Sequence, residues 1–215
     1  MRTLKRILPC LAAVALLFQA AQAAALEPPT DGSELFQQSY EREAGGKLQE
    51  ALAALDRLTP PRKDGYLACL RRGWLLYRLG RYAESVEAYQ HAITAAPQSI
   101  EARVGLILPQ QALKRWSDSE ATAKAVLAID PQSYLANLRL AFTLYNLGRF
   151  TEAATLYAQL KDHYPSDPEP RSGLGWSLLK QARTAEAARE FRELLAIQPK
   201  HVLGKQGLDA TGANR

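Results

Sequence analysis

Two segments decide how this chain folds: Leu76–Tyr89, LYRLGRYAESVEAY, and Leu144–Tyr157, LYNLGRFTEAATLY, one pattern written twice, sixty-eight residues apart. Half that distance organises the rest. Prolines fall at Pro97, Pro131, Pro165 and Pro199, thirty-four residues from one to the next, and each closes an apolar run such as VLAIDP or LLAIQP. ALKRWSDSEATAKAVLAIDP from Ala112 lies between the two copies, KQARTAEAAREFRELLAIQP from Lys180 follows them, and a more divergent copy, REAGGKLQEALAALDRLTPP from Arg42, opens the series. Self-similarity at such a step marks an array in which each unit buries its apolar face on its neighbours. Sixty-eight is two repeats, and the chain holds five.

Each unit reads as two helices. In the fourth, YLANLRLAFTLYNLG from Tyr134 carries apolar residues at helical spacing, and Gly148 supplies the positive-φ stop that ends many helices. Its second helix, from Thr151, runs to Pro165, which has no backbone N–H to continue it. Small residues recur in the second helices at Ala51, Ser85, Ser119, Ala153 and Ala187, where paired helices can approach closely. Pro109 falls inside the third unit's first helix and predicts a kink, with Gly105 four residues back relieving the strain. Asp167 and Pro168 form a helix start, and the tail after about Leu208 has little to bury.

The ends and the charge narrow the function. MRTLKR, then apolar ILPCLAAVALLF and small QAAQAAA, has the layout of a secretory signal cleaved after Ala23, with Ala25 as second choice. Cys10 sits within that apolar core, which disfavours a lipoprotein signal, and the core is too short to span a bilayer. Residues 1–23 hold Arg2, Lys5 and Arg6 and no acid, so the formal +5 becomes +2 after cleavage. That removes most of the case for nucleic acid, which wants a strong basic footprint. Cys69 is then the one remaining cysteine, so stability must come from packing. No later run is long and apolar enough to cross a membrane, and the expected location is the periplasm, with secretion as the alternative.

The period, Gly80 and Gly148 at the turn, the aromatic two places later, the small residue and the closing proline together resemble the tetratricopeptide repeat of an exported bacterial protein. The resemblance implies an all-α fold, a right-handed α-solenoid of about five helix-turn-helix repeats whose first helices line a concave groove. The expected boundaries are 1–23 for the signal, 24–31 for a linker, 32–65, 66–99, 100–133, 134–167 and 168–201 for the repeats, and 202–215 for a partial capping helix and disordered tail. Departures from the pattern are Leu35, Cys69, Arg103, Asn137 and Arg171 in place of the first helix's large aromatic, and Lys114 and Ala182 in place of the turn glycine.

No catalytic constellation accompanies the repeats. His91, His163 and His201 lie too far apart for a paired metal spacing, and neither a metal nor a cofactor is expected. Cys69 falls at a packing position, and GLGWS from Gly173 lacks the third glycine and the preceding strand of a phosphate loop. The face that the resemblance turns inward carries Tyr40, Trp74, Leu108, Phe142 and Trp176, with Tyr77 and Tyr145 one turn on and Arg71, Arg78, Arg139 and Lys180 around them. Such a groove suits an extended ligand with apolar and acidic groups. The expected function is a non-catalytic scaffold holding a partner protein segment. The alternatives are an anionic polysaccharide guided during export, and aromatics that only seal neighbouring helices together.

Overall fold

The computed structural model describes residues 32–212, so the expected signal at 1–23, the expected linker at 24–31 and the last three residues lie outside the described residues. Among the described residues every element is helical, and the chain divides into two compact units, up to Arg62 and from Lys63 onward. The first holds one antiparallel pair, α1 (Gly32–Ala44) and α2 (Leu48–Asp56), closed over Leu35, Ala51, Leu52, Leu55 and Leu58. The second holds α3 (Tyr66–Arg78), α4 (Tyr82–Ala95), α5 (Ile100–Ala112), α6 (Trp116–Ile129), α7 (Tyr134–Asn146), α8 (Phe150–His163), α9 (Pro168–Lys180), α10 (Thr184–Ile197) and α11 (Val202–Ala210). Helix α11 runs to Ala210, with Gly204 and Gly207 buried on its inner face.

In the second unit each helix packs on the next. The backbones of the first helices α3, α5, α7, α9 and α11 also approach one another in turn, whereas those of α4, α6, α8 and α10 do not. The first helices therefore form the tighter, inner layer of a solenoid and the second helices its outer layer. All five small residues of the second helices, Ala51, Ser85, Ser119, Ala153 and Ala187, are 0% exposed at the crossing with their first helices.

One turn recurs five times. Gly46, Gly80, Lys114, Gly148 and Ala182 all have positive φ, and in each the next amide donates back to a carbonyl five residues earlier, as Arg81 does to Leu76 and Arg183 to Leu178. Lys114 (φ 57°) and Ala182 (φ 59°) hold this geometry although their side chains disfavour it, since the helices packed on either side dictate the turn. Directly after it comes a basic residue bonded three places on: Lys47 to Glu50, Arg81 to Glu84, Arg115 to Asp118, Arg149 to Glu152, Arg183 to Glu186. The acid stands in the first turn of a second helix, where the helix dipole favours it. Hydrogen bonding to arginine holds Glu84, Glu152 and Glu186 below the usual carboxylate range.

Aromatic rings on the outer helices enter notches between inner helices. A Cβ on Gly105 would lie 2.4 Å from the ring of Tyr89, and one on Gly73 2.8 Å from its other side. Gly175 and Gly207 take Phe191 in the same way, and Gly173 takes Tyr157, at 2.3 Å from a would-be Cβ. In the third unit the sizes reverse: Ala123 stands where the other outer helices carry a ring, and Ile107 and Arg139 stand at the notch positions. Gly105 thus makes room for Tyr89, a role different from relieving Pro109, and α5 runs unbroken through that proline. The glycines of GLGWS, Gly173 and Gly175, are two of these notches.

Candidate functional site

A polar cluster fixes the central inner helix. The Gln111 side chain donates to the Arg139 carbonyl and to Thr143, both at 3.0 Å, and Ser119 shares a hydrogen bond of 2.8 Å with Thr143. Ser119, Thr143 and Gln111 are buried, so α5, α6 and α7 are locked where all three partners must be satisfied. Further ties come from tyrosines at the starts of inner helices. Tyr66 bonds Ser99 at 2.8 Å, and Tyr134 bonds Asp167, each reaching the capping residue of the next inner helix. Asp167 in turn accepts from the Glu169 amide at 2.9 Å, which sets the first turn of α9.

Between the inner helices α7, α9 and α11 this frame leaves a cleft of about 510 Å³. Arg139, Phe142 and Tyr145 come from α7, Glu169 and Trp176 from α9, Leu203 from α11, and Tyr157 reaches it from the outer layer. Phe142 is 42% exposed, with its ring edge against Trp116 at 6.0 Å between centroids. Trp176 is half-buried, one side resting on Phe191 at 5.5 Å, so it serves core and cleft together. Burial pushes the Tyr157 hydroxyl up from its ordinary pKa; Glu169 adds to this and Arg139 opposes it.

Of the residues expected on the inner face, Arg139, Phe142, Tyr145 and Trp176 come together here. Trp74, Tyr77 and Arg78 form a separate stack on α3, with Trp74 and Tyr77 centroids 6.0 Å apart and the Arg78 guanidinium 5.4 Å over the indole. Trp74 also packs on Val86, Tyr89 and Leu106. Arg71 departs from its expected role: it is 6% exposed, its long side chain drawn into the packing of α3 instead of offered to a ligand. Lys180 is exposed at the end of α9, Leu108 is half-buried on α5, and Tyr40 is 56% exposed on α1 in the first unit.

Glu169, Ser172, His201 and Leu203 also line the cleft, and the helical reading of the first helices did not pick them out. His201 is a helix cap whose Nδ1 accepts from the Gly204 amide at 3.0 Å, which places the ring proton on Nε2. Its signal was its place, thirty-four residues after Asp167 and sixty-eight after Ser133, both at the same start. Cys69 is buried, where desolvation pushes its thiol up, and donates to the Asp64 carbonyl at 3.6 Å. Among the described residues no group of three His, Cys, Asp or Glu side chains could hold a metal, and no helix is long and apolar enough to cross a membrane.

Residues 66–99 and 110–177 match sequence profiles of the tetratricopeptide repeat. Among solved structures, MamA from Desulfovibrio magneticus RS-1 is similar at 18% identity, with TM-score 0.73 over 81% of this chain and 99% of its own. YrrB, described as a TPR protein with an unusual peptide-binding site, is 16% identical, with TM-score 0.70 over 87% of this chain and 97% of its own. A thermophilic TPR protein from Thermus thermophilus is 18% identical, with TM-score 0.65 over 84% and 98%. No curated protein sequence matches. The fold is an all-α solenoid of tetratricopeptide repeats.

Proposed function

We propose that this chain, whose residues 66–99 and 110–177 are tetratricopeptide repeats, is a non-catalytic scaffold that holds a segment of a partner protein in the cleft of α7, α9 and α11. The observation that carries this reading is Phe142, an aromatic side chain left 42% exposed on the inner layer where it lines a cleft with Trp176 and Leu203. Aromatic anchors in a concave, largely apolar cleft are the usual seat of binding energy. A peptide is favoured over an anionic polysaccharide, since Arg71 is buried, Arg78 lies over Trp74, and the cleft carries the carboxylate of Glu169. Partner segments with apolar side chains fit best, with one acidic group within reach of Arg139. We place this role in the cell envelope on the strength of the leader-like residues 1–23.

Photocrosslinking tests the site directly. A benzophenone amino acid in place of Phe142 should join the chain to a partner protein in intact cells. The same group in place of Ile129, an exposed residue at the end of α6, should not. Equal yields at both positions, or a glycan adduct without protein at Phe142, would contradict the reading.

A further inference from the structure

Toward the outer face of the second unit many charges pair. Arg149 bonds Glu152 and Glu120, Arg171 bonds Glu190 and Glu193, Lys161 bonds Glu190, and Arg183 bonds Glu186. The two charges of the cleft do not. Among the described residues neither the Arg139 guanidinium nor the Glu169 carboxylate has an ion-pair or hydrogen-bond partner, although both line the cleft with Tyr157 between α7 and α9. The Tyr157 hydroxyl also has no hydrogen-bond partner among the described residues, and its residue is only 5% exposed. The oxygen itself is reached by solvent from the cleft, so the donor stands open to a partner there.

Geometry shows where this hydroxyl goes. Tyr157 starts on the outer helix α8, and its Cζ is the ring atom nearest the missing Cβ of Gly173, so the ring passes through the notch in α9 with its oxygen leading toward the inner face. Two equivalent positions sharpen the point. Phe191 fills the next notch, between Gly175 and Gly207, with no hydroxyl at all, so packing alone does not require one. Tyr89, sixty-eight residues before Tyr157, has the same design, and its neighbours Glu101 and Tyr77 correspond to Glu169 and Tyr145.

We infer that Tyr157 is a specificity-determining donor that clamps one amide of a bound peptide, with Arg139 and the hydroxyl facing the amide carbonyl and Glu169 accepting from the amide N–H. This rests on the peptide-binding reading and deepens it. The hydroxyl stays protonated at every physiological pH, because burial and Glu169 both disfavour its ionised form. A group of one donor pair and one acceptor matches a neutral peptide amide in both polarity and order. An anionic sugar brings its own carboxylate against that of Glu169. Phe142, Trp176 and Leu203 would hold the side chains on either side of the clamped bond.

The test uses the full chain and acetylated, amidated hexapeptides selected from a random library on it, with affinity read by fluorescence anisotropy. Tyr157→Phe should weaken the selected peptide roughly tenfold, the loss of about one net hydrogen bond, while the melting temperature stays level or rises. Glu169→Gln should weaken it by a similar factor. Changing one amide of the peptide to an ester should do the same in the unaltered chain and add little in Glu169→Gln, the non-additivity of a shared contact. Unchanged affinity in Tyr157→Phe alongside weaker binding in Phe142→Ala would overturn the clamp and leave the groove reading standing. A fall in melting temperature that accounts for the lost affinity would assign Tyr157 to packing and overturn the clamp as well. If no hexapeptide binds and an oligoglucuronate does, more tightly still in Glu169→Gln, both readings fall together.

Discussion

The segments around Trp74 and Phe142 are two copies of one pattern, yet one is closed and the other open. On α3 the indole of Trp74 packs on Val86, Tyr89 and Leu106 and carries Arg78 over its face, while Arg71 is drawn inside. On α7 the smaller Phe142 leaves part of its ring exposed, Arg139 stays at the surface of the cleft, and Leu203 and Trp176 form the opposite wall. The difference shows that repeat identity sets where a side chain points, and the sizes of its neighbours decide whether that place becomes core or site. Arg139 stands at a position where Gly105, Gly173 and Gly207 admit a ring; beneath it the outer helix offers only Ala123, so no ring competes for the space.

The largest effect should come from a notch that is packing and nothing else. Phe191→Ala removes a ring that is 0% exposed and should cost about 3–5 kcal/mol by chemical denaturation. A loss well under that would mean the notches collapse easily and would blur the contrast with Tyr157. Next comes Gly173→Ala, whose Cβ would meet the Tyr157 ring at 2.3 Å. Overpacking of about 1–3 kcal/mol should outweigh the helix-propensity gain of up to about 1 kcal/mol. The loss should shrink when Tyr157→Leu is added; a simple sum of the two effects would break the link between ring and notch.

Turns give a smaller, opposite-signed test. Ala182→Gly should stabilise by roughly 1 kcal/mol, and Gly148→Ala should destabilise by a similar amount, because both positions require positive φ. Equal responses at the two turns would show that the left-handed geometry carries no strain at Ala182. The smallest effect concerns Glu120, whose carboxylate is held below its usual range by hydrogen bonds from Lys124 and then Arg149. A lowered folded-state pKa contributes stability above the unfolded value that is lost as pH falls through the folded one. The melting difference between the chain and Glu120→Gln should therefore be present at pH 7 and narrow toward pH 3.

Features confined to one position and one period could be read from the residues: Gly80, Gly148, the closing prolines and the five small contact residues each announce their role by type and step. What could not be read depends on two or three helices at once. Gly73, Tyr89 and Gly105 stand sixteen residues apart in sequence, a spacing that has no meaning within one helix and appears only when rings and notches are matched across layers. Arg71 and Arg139 share a repeat position and an identity, and nothing in either explains why one is buried and the other lines a cleft. Tyr157 reads as a core aromatic, which its ring is; its hydroxyl belongs to the inner face.

The most direct test of the cleft as a binding site is to measure melting and affinity on the same Phe142→Ala sample, using the partner segment that crosslinks at position 142. Because the ring is partly exposed, stability should fall by no more than about 1.5 kcal/mol. Affinity should fall roughly thirtyfold or more, the weight of an interface anchor worth about 2 kcal/mol. Affinity unchanged, or a melt that collapses so that lost binding merely follows unfolding, would contradict the account.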